Sequence, residues 1–171
     1  MKKQLISVII VSLVVLLVVV SFLLYNEWPH LTGKKIVLDT RPVDPFDPLR
    51  GQYMQINYEI SILNSTNLES GDTVYVKLKE DAEGIWRLVD SSKSRPSQGD
   101  FIKGKVTYIY GNRANVEYGI EQYFFERNAE IPTQNITVEV DVTNSGRAEL
   151  VQLLQNGKPV KIDYQDFDIR N

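Results

Sequence analysis

Hydrophobic and polar positions follow two different rhythms along this chain. From Leu5 to Leu24 runs an apolar segment of 20 residues, interrupted only by Ser7, Ser12 and Ser21. At about 1.5 Å of rise per residue, a helix of that length covers roughly 30 Å, the hydrocarbon thickness of a bilayer. Its Val and Ile residues are poor helix formers in water, but in hydrocarbon only a helix satisfies the backbone within one segment. The prediction is a transmembrane helix. Beyond it the period changes to two. "KIVLDT", "QYMQINYEISI", "TVYVKLK", "IWRLVD", "FIKGKVTYIY", "RANVEYGI", "NITVEVDV" and "AELVQLL" are short, rich in Val, Ile, Tyr and Thr, and predict strands. Between them lie "NSTNLESGD", "KEDAEG", "SSKSRPSQGD", "YGNRA", "TNSGRA" and "QNGKPV", whose Gly, Asn, Pro and Ser residues suit turns. The expected fold is all-β, a mainly antiparallel sandwich or partly open barrel. "EQYFFERNAEIPTQ" fits a short helix after Tyr123 as well as a strand.

The segment "DTRPVDPFDPLRGQYMQINYEI", Asp39 to Ile60, breaks both rhythms. Pro42, Pro45 and Pro48 donate no ladder hydrogen bonds and push the residues before them toward extended conformations. Gly51 permits a positive φ or a close backbone approach. A long strand is expected to follow, with Gln52, Met54, Ile56, Tyr58 and Ile60 on the core face and Tyr53, Gln55, Asn57 and Glu59 on the other. Tyr53 is then a large aromatic on the more polar side. The segment reads as an ordered arm leading into a strand.

Composition sharpens the placement. Tyr25 and Trp28 follow the apolar run where headgroups would lie, and no small-residue cleavage site follows Leu24, so the helix is expected to stay as an anchor. Lys2 and Lys3 precede it, which puts the N-terminus in the cytoplasm and the rest outside, as a single-pass protein of the cell membrane. The division expected is an anchor over 1–24, a juxtamembrane linker over 25–35 and one β-rich extracytoplasmic domain over 36–171. Leaving Lys2 and Lys3 out takes the net charge from −3 to −5, which speaks against nucleic acid or an anionic bilayer as the domain's main partner. With no cysteine there is no disulfide, thiolate metal site or cysteine nucleophile.

Arg41-Pro42-Val43-Asp44-Pro45, then Asp47-Pro48-Leu49-Arg50-Gly51, then Gly51-Gln52-Tyr53-Met54-Gln55-Ile56-Asn57-Tyr58 together resemble the GDYXXLXY family of bacterial proteins. Gly51, Tyr53 and Tyr58 match the motif, Ile56 stands for its Leu, and Gln52 stands where the family writes Asp. That last change removes a carboxylate on which acid–base or metal chemistry would depend. "FIKG", "VEYGIEQYFFE" and "VTNSGRAELVQLLQNGKPV" extend the likeness over most of residues 35–160. The resemblance implies a membrane-anchored or exported domain, often encoded beside multi-pass membrane proteins, and supplies no catalytic residue.

The candidate chemistry is correspondingly modest. Asp39, Asp44 and Asp47 offer oxygen ligands to Ca²⁺, but they lack the alternating acidic positions of an EF-hand loop and suit turns better. Arg50 is expected to pair with one of them. Asp44, Asp47, Arg50, Gly51, Tyr53 and Tyr58 form the candidate binding surface, with no cofactor or metal. Glu117, Glu121 and Glu126 with Tyr118 and Tyr123 suggest the alternative, an envelope hydrolase or polysaccharide-binding protein with paired carboxylates. His30, the single histidine, reads as a linker residue. Ser91, Ser92 and Lys93 supply the residue types of a membrane-anchored peptidase without its motif, and the sequons at Asn64 and Asn135 mean little if the source is bacterial, as the resemblance implies. The leading expectation is an interaction module, an accessory to a multi-pass membrane protein. The anchor itself contacts lipid, and 11 linker residues, at most about 37–40 Å when extended, keep the domain close to the bilayer.

Overall fold

A computed structural model describes residues 2–41, 53–64, 67–125, 129–130, 132, 134–161 and 163–164 of the 171-residue chain. Helix α1 spans Lys2–Thr32, and β1 (Lys34–Asp39) follows after Gly33. The residues expected to form a linker are therefore helical up to Thr32. Helical hydrogen bonding propagates once nucleated, and the helix runs on through Pro29 to Thr32. The described side chains of α1 between Leu5 and Leu24 are all exposed, so none of these packs on the β domain. The stretch Gln4–Glu27 is long and apolar enough to cross a membrane.

The remaining strands are β2 (Tyr53–Gln55), β3 (Ile62–Asn64), β4 (Thr73–Glu80), β5 (Trp86–Ser92), β6 (Phe101–Tyr110), β7 (Arg113–Glu117), β8 (Gln122–Phe124), β9 (Ala129–Glu130), β10 (Ile136–Val142), β11 (Ala148–Gln155), β12 (Lys158–Pro159) and β13 (Asp163–Tyr164). They pair antiparallel throughout. A five-stranded sheet runs β3-β7-β6-β4-β5 and a four-stranded sheet runs β1-β10-β11-β12, with two small two-stranded ladders, β2-β8 and β13-β9. The all-β reading thus holds, in a nearly closed, barrel-like form. Alternation does the sorting. Val74, Val76 and Leu78 of β4, Ile102 and Val106 of β6, Ala114 and Val116 of β7, and Ile136, Val138 and Val140 of β10 point into one core shared by both sheets.

Curvature comes from bulges. The register shifts between Lys77 and Leu78, between Val106 and Tyr108, and between Glu139 and Val140, and each shift bends its strand so that the sheets wrap the core. The turn signals land where expected. Asn156 and Gly157, both at positive φ (52° and 75°), make the two-residue hairpin between β11 and β12. Gly104 serves packing instead: a Cβ there would lie 2.4 Å from Val116 Cγ1 and 2.8 Å from the Tyr118 ring.

One strand expectation changes and one open alternative is resolved. The long strand over Gln52–Ile62 is broken into β2, a 3₁₀ turn at Glu59–Ser61, and β3. Its two halves serve different partners, β8 and β7, and the chain must turn a corner between them. The burial alternation nevertheless survives, with Met54, Ile56, Tyr58 and Ile60 buried and Gln55, Asn57 and Glu59 exposed. In "EQYFFERNAEIPTQ" the residues after Glu121 form β8, because β2 offers a ladder partner that a helix would forgo.

Candidate functional site

The proline-rich arm closes at its base. Thr40 and Tyr58 form a β-bridge, and the Arg41 N–H donates to the Asn57 carbonyl at 2.8 Å. Thr40 Oγ1 donates to the Ile136 carbonyl at 2.5 Å, which ties the same point to β10. Along β1, six residues at about 3.3 Å each separate this base from the end of α1 by roughly 20 Å. Asp44, Asp47, Arg50 and Gly51 lie outside the described residues, as does the side chain of Tyr53, whose backbone pairs with Phe124.

Tyr58, on the expected core face but also named in the candidate binding surface, is a core residue with 0% exposure and offers no surface to a partner. Its hydroxyl donates to the Ile120 carbonyl at 2.6 Å, and the hydroxyl of Tyr118 donates to the Ile60 carbonyl at 2.6 Å. Each tyrosine, in "YEI" and in "YGI", reaches across to the carbonyl two residues beyond the other. A buried carbonyl at a chain corner lacks a ladder partner, and a phenol long enough to span the core supplies one. The Ile56 N–H to the Glu121 carbonyl, 2.7 Å, completes the clasp. Burial raises both phenol pKa values, and the Glu121 charge adds to the rise, so neither tyrosine ionises as a base near neutral pH.

One carboxylate of the alternative reading, Glu121, is committed in the same place. Glu121 accepts the Tyr118 N–H at 2.5 Å and the Gly119 N–H at 2.9 Å, closing a turn in which Gly119 has φ 83°. Burial raises its pKa against the pull of those donors, and the Glu117 charge raises it further. Glu126 lies outside the described residues. Lys93, weighed as a peptidase base, is an exposed ammonium paired with Asp72 at 2.7 Å.

Asp39 pairs with Arg87, while the expected partner of these carboxylates, Arg50, lies outside the described residues. Arg87 of β5 donates from Nη1 to Asp39 at 3.0 Å and to Glu59, and from Nε to Asp81 at 2.9 Å. One guanidinium fork therefore joins β1, the 3₁₀ corner and the β4–β5 turn where the two sheets meet. Asp81, foremost among these partners, raises the Arg87 pKa, and Arg87 in turn lowers that of Asp81. Spacing gave no hint of this node, since Arg87 looks like one more outward strand residue. Among the described residues, no group of three or more His, Asp or Glu side chains is arranged to hold a metal ion.

A second feature lies at the other end of the domain. Arg147, in the β10–β11 turn, donates from Nη1 to the Tyr25 carbonyl at 2.9 Å and stacks 4.5 Å from the Tyr25 ring. A cleft of about 560 Å³ opens beside this contact, between the end of α1 and the outer face of β6 and β7. The sequence gives no sign of it, because its residues come from five separate segments.

No curated protein and no solved structure matches the chain. The family model described as GDYXXLXY protein matches residues 15–153. That match takes in most of α1, the arm, the tyrosine clasp and the strands through β11, and the chain therefore belongs to the GDYXXLXY family.

Proposed function

We propose that this protein is a single-pass membrane protein, N-terminus in the cytoplasm, whose outer β domain serves as an interaction module for another component of the membrane or envelope. The observation that carries the reading is α1, which is apolar on every side and packs none of its described Leu5–Leu24 side chains on the β domain. A helix of that kind is stable in lipid or against other membrane helices and unstable in water. One glycine separates it from β1, and Arg147 grips it at Tyr25, just past the apolar run, which supports a domain held close to the bilayer. The arm, its base fixed by the Thr40–Tyr58 bridge, is the surface offered to a partner. A hydrolase built on Glu117 and Glu121 is less favoured, since both Glu121 oxygens already accept backbone donors.

The test is a mild-detergent isolation of the full-length tagged protein from native membranes, read by mass spectrometry, beside Arg50→Ala and Tyr53→Ala. The expected result is a multi-pass protein recovered with the wild type and lost with either folded variant. Recovery of the bait alone sinks the accessory reading, and a complex insensitive to both variants moves the contact away from the arm.

A further inference from the structure

The cleft beside the end of α1 has a chemistry that the arm does not. Lys103 and Lys105 project from the outer face of β6, Arg147 stands at its rim, and Tyr25 and Ser145 line its walls. Glu117, opposite Lys105 in the β6–β7 register, is the single carboxylate among the lining residues. Three cations against one anion make this a positive pocket on an acidic protein. Lys103 and Lys105 are exposed and form no salt bridge among the described residues, unlike Lys34, Lys35 and Lys93, which pair with Asp100, Glu139 and Asp72. Exposed lysines two apart on a strand share a face and converge on one anion more readily than on separate ones.

Position selects the anion. Tyr25 is the first residue after the 20-residue apolar run, the depth at which aromatic side chains sit among lipid headgroups. Arg147 spends one N–H on the Tyr25 carbonyl and has further donors in its fork to give to a phosphate. The volume is within the range of a small-molecule site. We propose that this cleft binds the phosphate of an anionic phospholipid headgroup through Lys103, Lys105 and Arg147, fixing the domain's pose on the bilayer. The proposal rests on the membrane reading above. The acidic remainder of the domain repels an anionic surface at long range, so the contact acts at short range, inside a screening length of about 8–10 Å.

The full chain in detergent micelles, titrated with phosphatidylglycerol, phosphatidylcholine or inorganic phosphate and read by native mass spectrometry, tests it. Phosphatidylglycerol should bind at least tenfold more tightly than phosphatidylcholine, on the scale of roughly fivefold for each basic residue near an anionic surface. Lys103→Ala with Lys105→Ala should weaken phosphatidylglycerol by about 25-fold on the same scale and leave phosphatidylcholine unchanged, while the Lys→Arg pair retains binding. Equal binding of the two lipids, or a double-alanine variant that keeps its phosphatidylglycerol, overturns the proposal. Displacement of the lipid by inorganic phosphate at comparable concentration assigns the cleft to a free phosphate and overturns the lipid source. Flotation with vesicles of phosphatidylcholine alone reads the anchor separately, because it depends on α1 and not on the lysines.

Discussion

Tyr58 and Tyr118 carry more of the fold than their place in a motif suggests. Each phenol fills core volume and ends on a carbonyl that no strand ladder serves, Ile120 for one and Ile60 for the other. Removing a hydroxyl while keeping the ring leaves such a carbonyl buried and unpaired, which costs about 1–3 kcal/mol. Tyr58→Phe and Tyr118→Phe should each lower stability by roughly 1–2 kcal/mol in urea unfolding followed through the buried Trp86, and the double variant should lose less than the sum. An additive pair would mean that the two hydroxyls act independently and that there is no clasp. The motif's final tyrosine was legible as a core position from the period of two, but its partner, 62 residues away, was not.

Among elements, the decisive event is the meeting of β1 with β5, the edges of the two sheets. Arg87 spans that seam with Asp39, Glu59 and Asp81. Its side chain is 40% exposed, so each pair is worth only about 0.2–1 kcal/mol after solvent screening. Arg87→Ala also leaves three carboxylates facing one another, and a total loss of roughly 1–2 kcal/mol is expected. Salt weakens the attraction in the wild type and the repulsion in the variant, so the gap between their urea midpoints should narrow as ionic strength rises. A gap indifferent to salt would show that the stem of Arg87, packing on the seam, is what matters. The strands themselves were readable from alternation and turn residues. The break between β2 and β3 was not, because alternation of burial runs through it undisturbed while the ladder partner changes from β8 to β7.

For the molecule as a whole, the titrating groups oppose each other. Asp72, Asp81 and Glu139 have lowered pKa values, caused chiefly by Lys93, Arg87 and Lys35 respectively. Their stabilisation is present above the unfolded values of about 4 and is lost as pH falls through the folded ones. Glu121 is raised by burial, so its contribution has the opposite sign: full below an unfolded value of about 4.3, and lost as pH rises through the folded one. The urea midpoint should therefore fall as the solution is acidified below about pH 4. From about pH 4 to 7 the wild type should lose ground to Glu121→Gln, apart from a constant offset for the altered hydrogen bonds. A difference between the two that stays flat over that interval would show that Glu121 is not desolvated in solution.

The amino-acid sequence by itself determined the apolar helix, the all-β antiparallel character, the turn positions and which residues of the Met54–Ile60 stretch face inward. These are local properties: hydrocarbon length is read from one run of residues, and a period of two assigns faces without reference to any partner. Only the tertiary structure decided who meets whom. Alternation is silent on strand order, so it could not bring Arg87 to Asp39, 48 residues away, or turn Tyr58 and Tyr118 into mutual braces. Nor could it gather Lys103, Lys105 and Arg147 beside Tyr25, since Arg147 stands 122 residues from that tyrosine. Those pairings follow from the packing of the whole core, in which closing long loops is repaid only when every buried face and backbone group is satisfied together.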